Sequence, residues 1–205
     1  MSFKTPKIAI VVLAAGASKR MGTPKQLLPW GNVTLIEHVI QIAIQTTSKE
    51  VVVVLGANHD FLSDRIKQYP ISILNNKGWE SGLGSSISCA VNHLITLKPN
   101  VDGVLIMLAD QPFIDSDFLN TMITNFEMNK DRIVATSYKE DKYGVPVLFD
   151  RVYFKELVAL HDDYGAKHIL KKYESQVMAL TPPNINVDLD TREDYRKFFN
   201  EGLPK

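Results

Sequence analysis

Between Leu13 and Lys25 the chain sets Ala14, Ala15, Gly16 and Ala17 directly ahead of three cations, Lys19, Arg20 and Lys25. Side chains this small let backbone N–H groups come close to a ligand, and cations at this spacing neutralise a multiply charged anion. The chemistry such a loop suits is the binding of a polyphosphate. Two common phosphate signatures do not account for it. The pattern G-x-x-x-x-G-K-[ST] needs a lysine directly after the second glycine, whereas Lys25 comes three residues after Gly22. The dinucleotide pattern G-x-G-x-x-G is absent from this turn, and Gly82-Leu83-Gly84 lacks its third glycine.

Carboxylates supply the second half of the chemistry. Asp110 closes the apolar run Val104 to Ala109. If that run and the one before the small-residue loop are parallel neighbours, Asp110 lies at the same sheet edge as the loop, in the ligand crevice. There it would hold Mg²⁺, which favours one or two carboxylates together with phosphate oxygens and water. Asp188 and Asp190 flank Leu189 at i,i+2 spacing, which sends both to one face of an extended segment, and both are candidates for the second carboxylate. The segment Asn75 to Ser86, rich in glycine and hydroxyls, ends at an expected helix start. Gly82, Ser85 and Ser86 there are expected to meet a nucleobase edge, while Trp79 serves equally as a wall of that pocket or as core packing.

The elements that must position these residues alternate. Ile8 to Leu13, Val51 to Leu55, Ile71 to Leu74 and Val101 to Ala109 are short apolar runs without polar alternation, as in strands covered on both faces. Between them fall helical stretches: one after Thr34 with Glu37 as a capping box, one around Asp60 to Gln68, and one from Ser85 to Leu97 with a serine cap. A further helix is expected near Asp115. Alternation of this kind predicts an α/β fold, a mostly parallel central sheet with helices on both faces in a three-layer, Rossmann-like arrangement. Beyond Ile133 to Thr136 the pattern loosens into Gly144 to Phe149, a short helix before His161, and strand-like runs at Val177 to Leu180 and Asn186 to Leu189. This half is expected to be a smaller mixed region on the acceptor side. Thr191 to Asp194 should cap a last amphipathic helix.

A chain of 205 residues with 45% hydrophobic and 22% charged residues is long enough to bury a sizeable core and is expected to form a single domain over 1–205. Lys plus Arg and Asp plus Glu both total 23, so there is no basic field to bind a nucleic acid backbone. Cys89 is alone, which excludes an internal disulfide, and the five histidines lack the i,i+4 pairing of a helical metal site. Lys4 and Lys7 ahead of the apolar run to Ala15 mimic an export signal, but the run is eight residues long and leads into a loop that makes chemical sense if retained. A cytoplasmic location is expected, and no stretch is long and apolar enough to span a bilayer.

Taken together, Leu13-Ala14-Ala15-Gly16-x-Ser18-x-Arg20-Met21-Gly22-x-x-Lys25-x-Leu27-Leu28 resembles the signature of the MobA-like nucleotidyltransferases. Gly82-Leu83-Gly84-Ser85-Ser86, Leu108-Ala109-Asp110-Gln111-Pro112, Gly144-x-Pro146, Asp163-x-Gly165-Ala166-Lys167 and Asp188-x-Asp190-Thr191 follow in the order of the molybdenum cofactor cytidylyltransferase-like subgroup. The resemblance implies Mg²⁺-dependent transfer of CMP from CTP to the terminal phosphate of molybdopterin, with a molybdoenzyme as a possible downstream partner. It further implies that Leu13 to Gly16, Arg20 and Lys25 hold the triphosphate and that Asp110 and Asp190 hold the metal. Lys25, nearest the α-phosphate, would act on the transition state. A guanylyltransferase, a sugar or polyol-phosphate nucleotidyltransferase and a non-catalytic nucleotide-binding accessory protein are the alternatives. Val145 and Lys167, where the subgroup often has His and Arg, both fall in the acceptor half.

Overall fold

The computed structural model describes residues 5–98, 100–128, 130–139, 142–161, 163–183 and 187–201; Lys4 and Asn186 lie outside the described residues. The chain opens with β1 (Ile8–Ala14), buried along its whole length. Two 3₁₀ turns, Lys19–Met21 and Lys25–Leu27, lead to a small ribbon of β2 (Pro29–Trp30) and β3 (Val33–Thr34). Next comes α1 (Leu35–Ile44), whose first turn is closed by the expected capping box: Thr34 donates to Glu37 from both its backbone N–H and its hydroxyl, at 2.9 and 2.7 Å. Then β4 (Glu50–Leu55), α2 (His59–Ile66), β5 (Ser72–Asn75), α3 (Leu83–Leu97), β6 (Gly103–Leu108) and α4 (Ser116–Thr124) alternate. The remainder comprises β7 (Ile133–Lys139), β8 (Lys142–Asp150), α5 (Phe154–Val158), α6 (Lys167–Lys172), β9 (Val177–Leu180) and α7 (Arg192–Glu201).

Among the described residues the main sheet has seven strands in the order β5-β4-β1-β6-β8-β7-β9. The first four are mutually parallel, β8 runs antiparallel to both of its neighbours, and β7 and β9 are again parallel. The sheet is therefore mostly parallel, with its antiparallel strand in the half where the sequence pattern loosens. Side-chain alternation along β1 divides the core. Ile8, Ile10, Val12 and Ala14 pack against α1, α2 and α4, while Ala9, Val11 and Leu13 pack against α3 and, through their neighbours, α5 and α6. Both faces are thus covered, which is why the strands show no polar alternation.

Strand order also fixes where a ligand can sit. From β1 the chain moves outward through β4 to β5, then returns to place β6 on the other side of β1. Connections above β1 and β6 leave in opposite directions, and this topological switch opens a crevice beyond the carboxyl ends of the two strands.

Two expectations need correction. α3 is not capped by a serine: it starts at Leu83 after Gly82, whose φ of +100° suits glycine, and Ser85 sits inside the first turn. Its hydroxyl is held by the Gly78 and Gly82 carbonyls at 3.0 and 2.8 Å. The described part of the run ending at Leu189 is not a strand. Its apolar signal comes from Leu189, which is fully buried with Trp30 and Leu35 under Phe113, Tyr195, Phe198 and Phe199. That cluster fastens α7 to the β2–β3 ribbon.

Candidate active site

At the carboxyl end of β1 the chain must turn sharply while exposing little polar backbone to the core. Ser18 takes a left-handed conformation (φ 53°) and Gly22 another (φ 67°), folding residues 15–25 back on themselves. A side chain absent from the sequence-level site fastens this fold. Gln26, 2% exposed, donates through its amide to the Ala14 and Gly16 carbonyls at 3.0 and 2.9 Å. Its oxygen accepts from the Ser18 hydroxyl at 3.2 Å, and that hydroxyl accepts from the Lys25 backbone N–H at 3.1 Å. The only trace of Gln26 in the sequence is a long amide side chain between Lys25 and two leucines.

The parallel pairing of β1 with β6 matches Leu13 with Leu108, so the small-residue loop and Asp110 leave the sheet side by side. There the predicted constellation assembles. The Lys25 ammonium forms an ion pair with Asp110 and reaches Asp190 Oδ1 at 3.3 Å, while Arg20 Nη2 lies 3.0 Å from Asp190 Oδ2. Lys25 and Asp110 are largely buried, whereas Arg20 is 70% and Asp190 42% exposed at the side chain. Burial alone would lower the Lys25 pKa, but Asp110 and then Asp190 outweigh it and hold the ammonium above its ordinary value. Asp110 Oδ1 is buried and, among the described residues, has no hydrogen-bond partner. Asp188 accepts from the Gln111 amide at 2.8 Å, and burial, then the charge of Asp110, pushes its pKa above the ordinary carboxylate value.

The late carboxylates are delivered by the last turn of the core. Leu189 N–H donates to the Asp110 carbonyl at 3.0 Å, which seats residues 188–190 on the segment leaving β6. Arg192 Nε donates to the Met21 carbonyl at 2.9 Å and the Tyr195 hydroxyl to the Pro29 carbonyl at 2.7 Å, tying α7 to the loop after β1.

A cavity of about 620 Å³ opens at Lys25 and Asp110, lined by Leu13, Ala14, Ala15, Gly16, Lys25 and Asp110 from the strand ends and by Trp79, Glu80, Gly82, Ser86 and Asp163 from the later loops. Ser85, Arg20 and Asp190 are not among its lining residues; Ser85 faces the preceding loop, where Asn76 donates to both the Ser85 and Ser86 hydroxyls at 2.9 and 3.0 Å. Trp79 is half-buried and joins none of the core clusters. It lines the cavity, and it packs so closely on Gly56 that a Cβ there would come within 2.6 Å of its own. A second cavity, about 740 Å³, adjoins the first and shares Leu83 and Leu108 with it. Its walls are Ile87, Tyr138, Tyr143, Val145 and Val147, with Lys142, Lys167 and Lys171 among the lining residues and Asp188 at its edge.

Gly82 joins loop to wall, since a Cβ added to it would lie 2.8 Å from the Asp163 backbone and would require an L residue at φ +100°. Gly82→Ala is expected to cost about 2 kcal/mol, in the range for a strained left-handed position. For a chain of this size that lowers the melting temperature by about 4–8 °C, readable by differential scanning fluorimetry. A melting point within 1 °C of the parent, on the scale where ~1 kcal/mol moves it by ~2–4 °C, would disprove the close approach.

Residues 10–177 match the family model described as the MobA-like NTP transferase domain. Among curated relatives, nicotine blue oxidoreductase of Paenarthrobacter nicotinovorans is 39% identical over 110 residues, covering 52% of this chain and 51% of that protein. The chain thus spans about half the length of that relative. Purine catabolism protein PucB of Bacillus subtilis is 26% identical across 94% of this chain and 96% of its own. A probable molybdenum cofactor guanylyltransferase of Bacillus mycoides is 23% identical across 92% and 94%. The crystal structure of Rv0371c from Mycobacterium tuberculosis superposes with a TM-score of 0.82 at 29% identity, covering 97% of this chain and all of that one. Rv0371c has also been solved as a complex with manganese, with a TM-score of 0.76, 27% identity and coverage of 96% and 100%.

Proposed function

The chain belongs to the MobA-like NTP transferase family, and from that premise we propose that it transfers CMP from CTP to the terminal phosphate of molybdopterin, releasing pyrophosphate. Nucleotidyl transfer itself is the activity of the family. The observation that carries the reading is the convergence of Lys25 on Asp110 and Asp190 at the mouth of the β1 loop, a cation between two acids where a metal-bound triphosphate would lie. In this reading the chain acts as a single domain in the cytoplasm, with no nucleic acid partner; no helix among the described residues is long and apolar enough to cross a membrane.

The donor set suits Mg²⁺. Asp110 offers a buried oxygen with no partner among the described residues, and Lys25 already marks the place as one that attracts a cation. Among the described residues no group of three or more His, Cys, Asp or Glu side chains is placed to hold a metal. Two carboxylates supplemented by phosphate oxygens and water is the arrangement Mg²⁺ prefers over a protein cage. Bound there by Asp110 and Asp190, it would neutralise charge on the triphosphate.

The chain's own residues do the rest by positioning. Leu13 to Gly16, braced by Gln26, offer backbone close to the phosphates, and Gly82 and Ser86 with Trp79 enclose the base. Lys25, released from the two aspartates, turns its ammonium to the α-phosphate, and Arg20 guards the outer edge. The acceptor's phosphate oxygen attacks the α-phosphorus in line. The new P–O bond forms as the bond to the β-phosphate bridging oxygen breaks, and pyrophosphate leaves with that electron pair. The acceptor would occupy the second cavity, whose apolar walls suit a flat ring system and whose lysines suit an anion.

Pyrophosphate release measured with each of the four ribonucleoside triphosphates, with and without molybdopterin, tests this. CTP with molybdopterin is expected to be fastest. Faster release with GTP would move the donor, activity with a sugar phosphate alone would move the acceptor, and NAD(P)H oxidation without pyrophosphate release would overturn the class.

A further inference from the structure

Gln111 follows Asp110 directly and is 1% exposed, yet it belongs to neither cavity wall. Its amide nitrogen has two hydrogens and two close acceptors: Asp188 Oδ1 at 2.8 Å and the Tyr138 hydroxyl at 2.9 Å. The Tyr138 hydroxyl in turn donates to the Val145 carbonyl, 3.4 Å from the same Gln111 nitrogen. One buried side chain thereby reaches three segments: the turn carrying Asp188 and Asp190, the end of β7, and β8 beside Pro146. Tyr138, Val145 and Asp188 all line the second cavity, while Asp110 lines the first.

We propose that Gln111 is a positioning residue that couples the two cavities, so that nucleotide and metal bound at Asp110 firm up the wall that receives the acceptor. The inference rests on the nucleotidyltransferase reading above and adds the element that registers donor and acceptor. Geometry supplies the coupling. The 110–111 segment grips the 188–190 turn twice, through Leu189 N–H to the Asp110 carbonyl at 3.0 Å and through Gln111 to Asp188. Any shift of Asp110 toward a ligand therefore pulls on Asp188 and, through the same amide, on Tyr138 and the Val145 backbone. A buried amide is suited to this because it donates twice without adding charge beside Asp110, Asp188 and Asp190, whereas glutamate would add a fourth acid.

Hydrogen exchange of the full chain with and without CTP and Mg²⁺ tests the coupling. In the parent, ligand should slow exchange both at residues 13–25 and in β8 (Lys142–Asp150), the latter by roughly tenfold, within the range usual for linked sites. In Gln111→Leu the slowing at 13–25 should persist while that in β8 is lost. Tyr138→Phe, which leaves the buried amide in place and removes only the hydroxyl, should lose part of it, and serves if the leucine variant folds poorly. With molybdopterin as acceptor, Gln111→Leu should raise the KM for molybdopterin about tenfold and leave the KM for CTP unchanged, a split that mere destabilisation does not produce. Equal β8 protection in parent and both variants would overturn the coupling. Absence of protection at 13–25 in the parent would instead overturn the nucleotidyltransferase reading, and this inference with it.

Discussion

Replacing Lys25 by alanine is expected to lower kcat by about 10²–10³, the cost of removing one preorganised donor to developing charge, or about 3–4 kcal/mol. The same change has a second, opposite signature in the free protein. Lys25 is a buried cation shared by Asp110 and Asp190, and its loss leaves the largely buried Asp110 carboxylate without its counter-charge, while Asp190 keeps Arg20. Breaking such a pair costs of order 3 kcal/mol. The sheet should therefore melt lower in metal-free buffer, and Mn²⁺ or Mg²⁺ should restore much of the loss, because the ion no longer competes with an ammonium. Metal affinity without nucleotide should rise as turnover falls. Steady-state kinetics together with Mn²⁺ titration by electron paramagnetic resonance read both effects. A Lys25→Ala protein turning over within about threefold of the parent, under ~1 kcal/mol of barrier, would remove Lys25 from the transition state. Arginine should rescue poorly, since a planar fork does not occupy the place of a compact ammonium.

Asp110→Asn is the second large effect. It keeps the side-chain shape, leaves the Asp110 carbonyl free to accept from Leu189, and removes a buried charge with an oxygen that has no partner among the described residues. Turnover should fall by about 10²–10³ and the metal concentration for half-maximal rate should rise, as for loss of one of two carboxylates in a low-dielectric site. Asp190→Asn should cost less, roughly tenfold, because the Asp190 side chain is 42% exposed and solvent screens its charge. Parallel metal titrations of the two variants rank them. A larger penalty at Asp190 would reverse the assignment of the principal ligand.

Much of this site could be read from sequence because its parts sit at strand ends. Small residues after a buried strand, and an aspartate closing another, are local features, and parallel pairing brings Leu13 beside Leu108 without further information. The capping box at Thr34 and Glu37 is equally local. The contacts that residues make across the fold were illegible, even where Gln111 and Asp163 stood inside a recognisable motif. Gln26 matters because its amide bridges two carbonyls ten and twelve positions away, and nothing in its neighbours announces that. Gln111 matters through Tyr138 and Asp188, 27 and 77 positions away. Asp163 lines the first cavity only because glycine at position 82 lets it approach. Leu189 misled in the other direction: its flanking alternation imitates a strand, while its burial comes from aromatic residues of α7 and the β2–β3 ribbon.

The hold of residues 188–195 on the loop after β1 has a bearing on biosynthesis. A nascent chain that has emerged through Leu180 already contains every strand of the main sheet among the described residues, with β7 and β9 able to pair. It still lacks Asp190, the Leu189 plug and the Arg192 tether to Met21. Folding on the ribosome would thus run ahead of competence. Translation prematurely stopped just past β9 would yield a sheet without Asp190, so that on the proposed reading nucleotide turnover awaits residues 188–195.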